Sequence, residues 1–139
     1  MFLIETDLIY AIMKTEDPLK NMAREILKRS KRLLCSSATI IEILSLLKAI
    51  EQLSSVGPKI KALGNFPNLT FLPVTPAVAG KAAEIHSAGL LTFFDSFYAA
   101  TALAEGVTLI SSDKAFANVP NLKFISVSEY VSKVMKQSS

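Results

Sequence analysis

Five short apolar runs are spaced along this chain, at residues 2–5, 33–36, 69–74, 107–110 and 123–126. Segments of helical periodicity fill most of the intervals between them. Strands that alternate with helices build βαβ units, so the spacing predicts a mainly parallel sheet of about five strands covered on both faces. The expected class is α/β: one three-layer α/β/α domain over residues 1–139, with no repeat, low-complexity tract or linker.

Punctuation residues divide the helical intervals. A first helix is expected over residues 7–13. Asp17-Pro18 offers an N-cap acid followed by proline at the first helical position, and Leu19, Met22, Ala23, Ile26 and Leu27 then repeat on one face. Ser36-Ser37 can cap a long helix over residues 38–51, and Gly57-Pro58 starts a short one ending near Gly64. Thr75-Pro76 caps a helix closed by Gly89. Asp95 opens another that stops at Gly106, and Ser126 with Glu129 has capping-box spacing for the last.

Composition narrows the chemistry. Half of the residues are hydrophobic, rich for a chain this small, which points to apolar surface covered by a partner or a second copy. Cys35 is the single cysteine and His86 the single histidine, which excludes an internal disulfide and a cysteine- or histidine-based metal cage. Any metal would be held mostly by oxygen, as Mg²⁺ or Mn²⁺ is. The N-terminus carries acids where a signal peptide needs bases. The most membrane-like stretch, residues 33–50, has Glu42 near its middle, at an insertion cost of about 2.5–3.5 kcal/mol. A soluble cytoplasmic protein with no membrane partner is expected.

Four acids stand where a cleft belongs. Ligands of open α/β sheets bind at the carboxyl ends of the strands. Glu5 and Asp113 follow the first and fourth strands, Asp95 opens a helix, and Glu42 lies early in the helix after the second strand. Glu42 is flanked by Ile40, Ile41, Ile43, Leu44, Leu46 and Leu47, the pattern of a helix buried nearly all round, where a lone carboxylate is costly. The plainer alternative is a solvent stripe of Ala38, Glu42, Ser45 and Ala49. Asp95 could serve only as an N-cap, Asp113 only as a turn residue, and Glu5 and Asp7 only as first-turn acids. Their shared location joins them. Four carboxylates in one cleft repel, so some should hold protons at raised pKa until a divalent cation relieves them.

The surrounding motifs occur in a familiar order. Ile4-Glu5-Thr6-Asp7 closes the first strand, and Ser36-Ser37-Ala38-Thr39-Ile40-Ile41-Glu42 follows the second. Asp95-Ser96-Phe97-Tyr98-Ala99-Ala100-Thr101-Ala102 begins a small-residue helix, and Ser111-Ser112-Asp113 precedes Phe116. In this the chain resembles the PIN-domain nucleases, and among them the short VapC-like toxins, over nearly its whole length. The resemblance implies a Mg²⁺- or Mn²⁺-dependent endoribonuclease acting on RNA. It implies Glu5, Asp95 and Asp113 as main ligands, Glu42 as a ligand or the group that orients water, and Thr6 and Ser111 as donors that hold the acids. It also implies a homodimer and a small antitoxin partner, with the helices from Asp17 and from Ala38 as contact surfaces. Glu5 departs from the family's usual Asp. Either the site tolerates the longer side chain, or Asp7 takes over part of the coordination, or the enzyme is weak.

Charge placement suits a polyanion. Lys14, Lys20, Arg24, Lys28, Arg29, Lys31 and Arg32 are seven of the fifteen bases. With Glu5, Asp7, Glu42, Asp95 and Asp113 set aside, fifteen bases face seven acids, a balance of +8. His86 is expected at the surface, Cys35 in the core, and Tyr98 as core filler near Asp95. A phosphoacceptor receiver domain would need an Asp ending the third strand, where the chain has Val74-Thr75-Pro76. The remaining alternative is a catalytically weak or inactive PIN-like binding protein.

Overall fold

The structure is a computed structural model that describes residues 1–14 and 16–135. Five strands, β1 (Phe2–Ile4), β2 (Leu33–Ser36), β3 (Leu69–Leu72), β4 (Thr108–Ser111) and β5 (Phe124–Ser126), form one sheet in the order β3-β2-β1-β4-β5. Every pairing is parallel. The expected strands are all present, with ends shifted by one or two residues.

Register explains how these short strands make two cores. Leu3 pairs with Leu34 and Leu109, while Ile4 pairs with Cys35 and Ile110. Side chains alternate along a strand, so the two sets point to opposite faces. Leu3, Leu34 and Leu109 pack with Val78, Ala82, Tyr98 and Phe116. Ile4, Cys35 and Ile110 pack with Leu8, Ile26, Ile43 and Tyr130. Burial on both faces is why the strands read as continuous apolar runs rather than alternating ones.

The helices are α1 (Thr6–Met13), α2 (Lys20–Arg29), α3 (Ala38–Ala49), α4 (Gly57–Ala62), α5 (Pro76–Ser87), α6 (Phe93–Glu105) and a short α7 (Val127–Glu129) that continues as a wider helical coil, Tyr130–Met135. Several predicted caps hold. Thr75 accepts from the Val78 amide at 3.2 Å, Ser126 accepts from the Glu129 amide at 3.1 Å, and Gly106 ends α6 at φ +65°.

Three local expectations fail. Asp17 does not open α2: its carboxylate accepts from the Leu19 amide at 2.8 Å in a turn, and the helix begins at Lys20. This is the side-chain turn that Asp forms as readily as a cap. Asp95 does not open α6, which starts at Phe93 with Thr92 as its N-cap residue. Nor is α3 buried all round: Ala38, Thr39, Ile43 and Leu47 are buried, whereas Ile41, Leu46 and Ile50 are exposed. No helix among the described residues is long and apolar enough to cross a membrane.

Candidate active site

The chain builds β2 and β3 on one side of β1, then crosses back to lay β4 on the other. Beside such a reversal the two connections diverge and leave a crevice at the carboxyl ends of the strands. One further step of the β1–β4 register brings Glu5 level with Ser111, and the Ser111 hydroxyl donates to Glu5 Oε1 at 2.8 Å. Glu5 is the N-cap residue of α1, without a side-chain cap bond, and is only 4% exposed. Burial pushes its carboxyl well above the ordinary range, helped by a hydrogen bond and charge repulsion from Asp7 and opposed by the Ser111 donor.

Asp7 is the second residue of α1 and reaches across to the segment after β4. Its Oδ2 accepts from the Ser112 amide at 3.2 Å and from the Ser112 hydroxyl. Its Oδ1 is buried and accepts from no amide or hydroxyl. Ser111 ties in the next acid too, since its hydroxyl accepts from the Asp113 amide at 3.0 Å. Asp113 Oδ1 accepts from the Ala115 amide at 2.9 Å. The turn role considered for Asp113 is therefore real, and one oxygen is engaged in it.

Asp95 is the third residue of α6 and half-buried, with Thr92 at the N-cap position three residues before it. Partial burial lifts it to about 6, the nearby Thr92 side chain opposes the rise, and the charges of Glu42, Asp113 and Asp7 add to it. Those repulsions place all these acids within electrostatic reach of one another.

Glu42 is half-buried on α3, and Tyr98 donates to its Oε1 at 2.6 Å. The Thr6 hydroxyl lies 2.7 Å from the Tyr98 oxygen and 3.3 Å from the Thr39 hydroxyl. Tyr98 is fully buried, and its phenol is pushed far upward by burial and by Glu42, so it stays a donor. Thus α1, α3 and α6 are joined by one polar chain that ends on Glu42. Tyr98 fills core space as expected, but its hydroxyl also orients Glu42, which spacing alone does not show.

The sequence therefore names Glu5, Thr6, Asp7, Glu42, Asp95, Ser111 and Asp113, and all of them lie in this crevice or in the hydrogen-bonded network around it. Ser111 holds Glu5 as expected, whereas Thr6 acts on Glu42 through Tyr98. Thr39, Tyr98 and Ser112 complete the network. As the side chains stand, no three His, Cys, Asp or Glu residues among those described form a group that would hold an ion. Glu5, Asp7 and Glu42 are turned toward Ser111, Ser112 and Tyr98 instead.

The family model of the PIN domain matches residues 2–122. The chain belongs to the PIN domain family. Among solved structures, it is similar in fold to VapBC2 from Rickettsia felis bound to a promoter DNA fragment, at 17% identity and TM-score 0.67, covering 90% of this chain and 97% of that one. VapC20 from Mycobacterium tuberculosis, a sarcin-ricin loop cleaving toxin, aligns at 16% identity and TM-score 0.68 over 84% and 93%. PAE2754 from Pyrobaculum aerophilum aligns at 19% identity and TM-score 0.65 over 95% and 93%. No curated protein matches the chain.

Away from this PIN-domain crevice, other expectations also have their places. Cys35 is in the core, its thiol pushed up to about 12 by burial. His86 is exposed. A groove of about 940 Å³ lies where β2 and β3 begin, floored by Leu27, Leu63 and Phe66 and rimmed by Arg24, Lys28 and Lys59. It is at the end of the sheet opposite the acids.

Proposed function

We propose that this chain is a Mg²⁺- or Mn²⁺-dependent endoribonuclease that hydrolyses RNA phosphodiester bonds, and that it is the cytoplasmic toxin of a toxin–antitoxin pair, with residues 1–139 acting as one domain. The observation that carries this reading is the convergence of five carboxylates from four segments at the sheet's reversal, with Glu5 and Asp95 raised partly by their neighbours' charge. Nothing in the core requires such a cluster.

The donor set fits a hard cation. It is all oxygen, it is crowded with negative charge, and it includes the buried Asp7 Oδ1 that accepts from no amide or hydroxyl. Glu5, Asp7, Asp95 and Asp113 would hold the ion, after rotations that free Glu5 and Asp7 from their serine partners. A cation so held supplies charge neutralisation and polarises the scissile phosphate. The protein's own part is positioning. Ser111 and Ser112 keep the Glu5 and Asp7 carboxylates at the crevice until an ion takes them. Tyr98 fixes Glu42 Oε1, which leaves Oε2 to accept a proton from the attacking water.

RNA cleavage with Mg²⁺ or Mn²⁺ is the test, comparing wild type with Asp95→Asn and Asp113→Asn. Each substitution should cost at least about a hundredfold, on the scale of lost electrostatic catalysis. Activity that survives both overturns the assignment.

A second reading, a PIN-like binding protein with little or no catalysis, is favoured by Glu5. It is the longer acid, buried, and already held by Ser111. Calorimetric titration separates the two, since no binding at millimolar Mn²⁺ sinks the nuclease. Two partners complete the proposal. The exposed Ile41, Leu46 and Ile50 on α3 suit a homodimer contact, and the basic-rimmed groove beside α2 suits an acidic amphipathic segment of a small antitoxin.

A further inference from the structure

We infer that Ser112 is a latch on Asp7: in the metal-free protein it holds the Asp7 carboxylate out of ion-binding geometry, and a divalent cation must break that hold to recruit Asp7; the inference rests on the metal-dependent reading of the crevice. Ser112 thereby competes with the ion for one carboxylate and sets how tightly the ion is bound.

The hold falls on one oxygen. Both donors of Ser112, its amide at 3.2 Å and its hydroxyl, converge on Asp7 Oδ2. Oδ1 is buried and accepts from no amide or hydroxyl. A carboxylate oxygen has about two lone-pair sites, so Oδ2 with two donors has little capacity left for a cation. As the side chains are held, no three His, Cys, Asp or Glu residues among those described come together around an ion position. Turning Asp7 away from Ser112 is therefore part of metal binding, and its cost is subtracted from the affinity.

Ser112 can let go, whereas Ser111, which holds Glu5, cannot do so cheaply. Ser111 ends β4, is fully buried, and is bonded on both sides: it donates to Glu5 at 2.8 Å and accepts from the Asp113 amide at 3.0 Å. A hydroxyl stranded there would find no water. Ser112 lies one residue past the strand and is exposed. Water can take over both of its donors when Asp7 leaves, so the latch opens without an unpaired buried group. The Asp113 amide is held by Ser111 rather than by Asp7, so the next acid does not depend on the latch.

The test uses full-length protein with Mn²⁺ or Mg²⁺ alone. Ser112→Ala should bind Mn²⁺ about three- to tenfold more tightly in calorimetric titration, the net worth of one lost hydrogen bond. It should melt below wild type without metal and level with it at saturating Mn²⁺. In an Asp7→Ala background the same substitution should leave Mn²⁺ affinity unchanged, because the latch acts only through Asp7. In wild type, Mg²⁺ should speed hydrogen exchange at the Ser112 amide, the reverse of the protection that a bound ligand ordinarily confers. Unchanged or weaker Mn²⁺ binding by Ser112→Ala would mean that Ser112 stays on Asp7 in the loaded site, and the latch fails. Slower exchange at the Ser112 amide with Mg²⁺ overturns it independently of any variant. Both of these results leave the nuclease standing wherever wild type cleaves RNA. Tighter binding by Ser112→Ala in a protein that cleaves no RNA keeps the latch and sinks the nuclease. If wild type binds no Mn²⁺ at millimolar concentration, latch and nuclease fall together.

Discussion

Glu5 and Asp95 carry opposite demands on the same residues. In the metal-free protein each is raised above its value in an unfolded chain, so between those values the folded state binds more protons. Stability from this source is intact below the unfolded value of 3.8 for Asp95 and is lost as pH rises through about 6. The metal-free protein should therefore melt at a lower temperature at pH 7.5 than at pH 5. Asp95→Asn should flatten that decline and raise the pH 7.5 melting temperature while removing cleavage. Added Mn²⁺ should reverse the decline in wild type only. Tyr98→Phe tests a different link: it leaves Glu42 without its donor and Thr6 with only the longer Thr39 contact. A cost of about 1–3 kcal/mol in urea unfolding is expected, with reduced turnover and unchanged metal affinity.

Among the elements, α3 and α6 differ most from what their sequences announce. The dense isoleucines and leucines around Glu42 read as burial, yet Ile41, Leu46 and Ile50 face outward. Apolar periodicity marks a face that avoids water without saying whether the same chain or another copy covers it. If two copies pair through α3, Ile41→Glu should leave the fold intact and shift the dimer toward monomer in light scattering at tens of micromolar. On α6, Asp95 looks like the helix opener because Asp is a favoured cap, but Thr92 takes that position. The far end is plainer: Gly106 sits at φ +65°, so Gly106→Ala should cost about 1 kcal/mol in thermal or urea unfolding.

At the scale of the molecule, charge and topology divide the work. The acids occupy the carboxyl ends of the strands, and bases from α2 and α4 rim the groove at the other end. If RNA extends beyond the crevice onto those bases, its affinity should fall steeply with salt. Charge reversal at Arg24 and Lys28 should reduce the slope of log K against log salt by about 1.4, at about 0.7 per single-strand phosphate contact. Unchanged slope with unchanged cleavage would leave the groove to a protein partner.

The sequence by itself determined the α/β class, a mainly parallel sheet of about five strands, and which acids to look for at the strand ends. Those depend on periodicity, on caps and on apolar runs, all of which act over a few residues. Glu5, Glu42, Asp95 and Asp113 were legible because each interrupts or borders an apolar segment that has no structural need of a charge. The tertiary structure decided what the acids touch. The pairing of Glu5 with Ser111 spans 106 positions and that of Glu42 with Tyr98 spans 56, so both depend on how β1 lies against β4 and α3 against α6. It also decided that Asp7 shares in the cluster and that Ile41 and Leu46 of α3 stand exposed. Contacts of that kind arise when a fold brings distant segments together, and no local pattern in the chain encodes them.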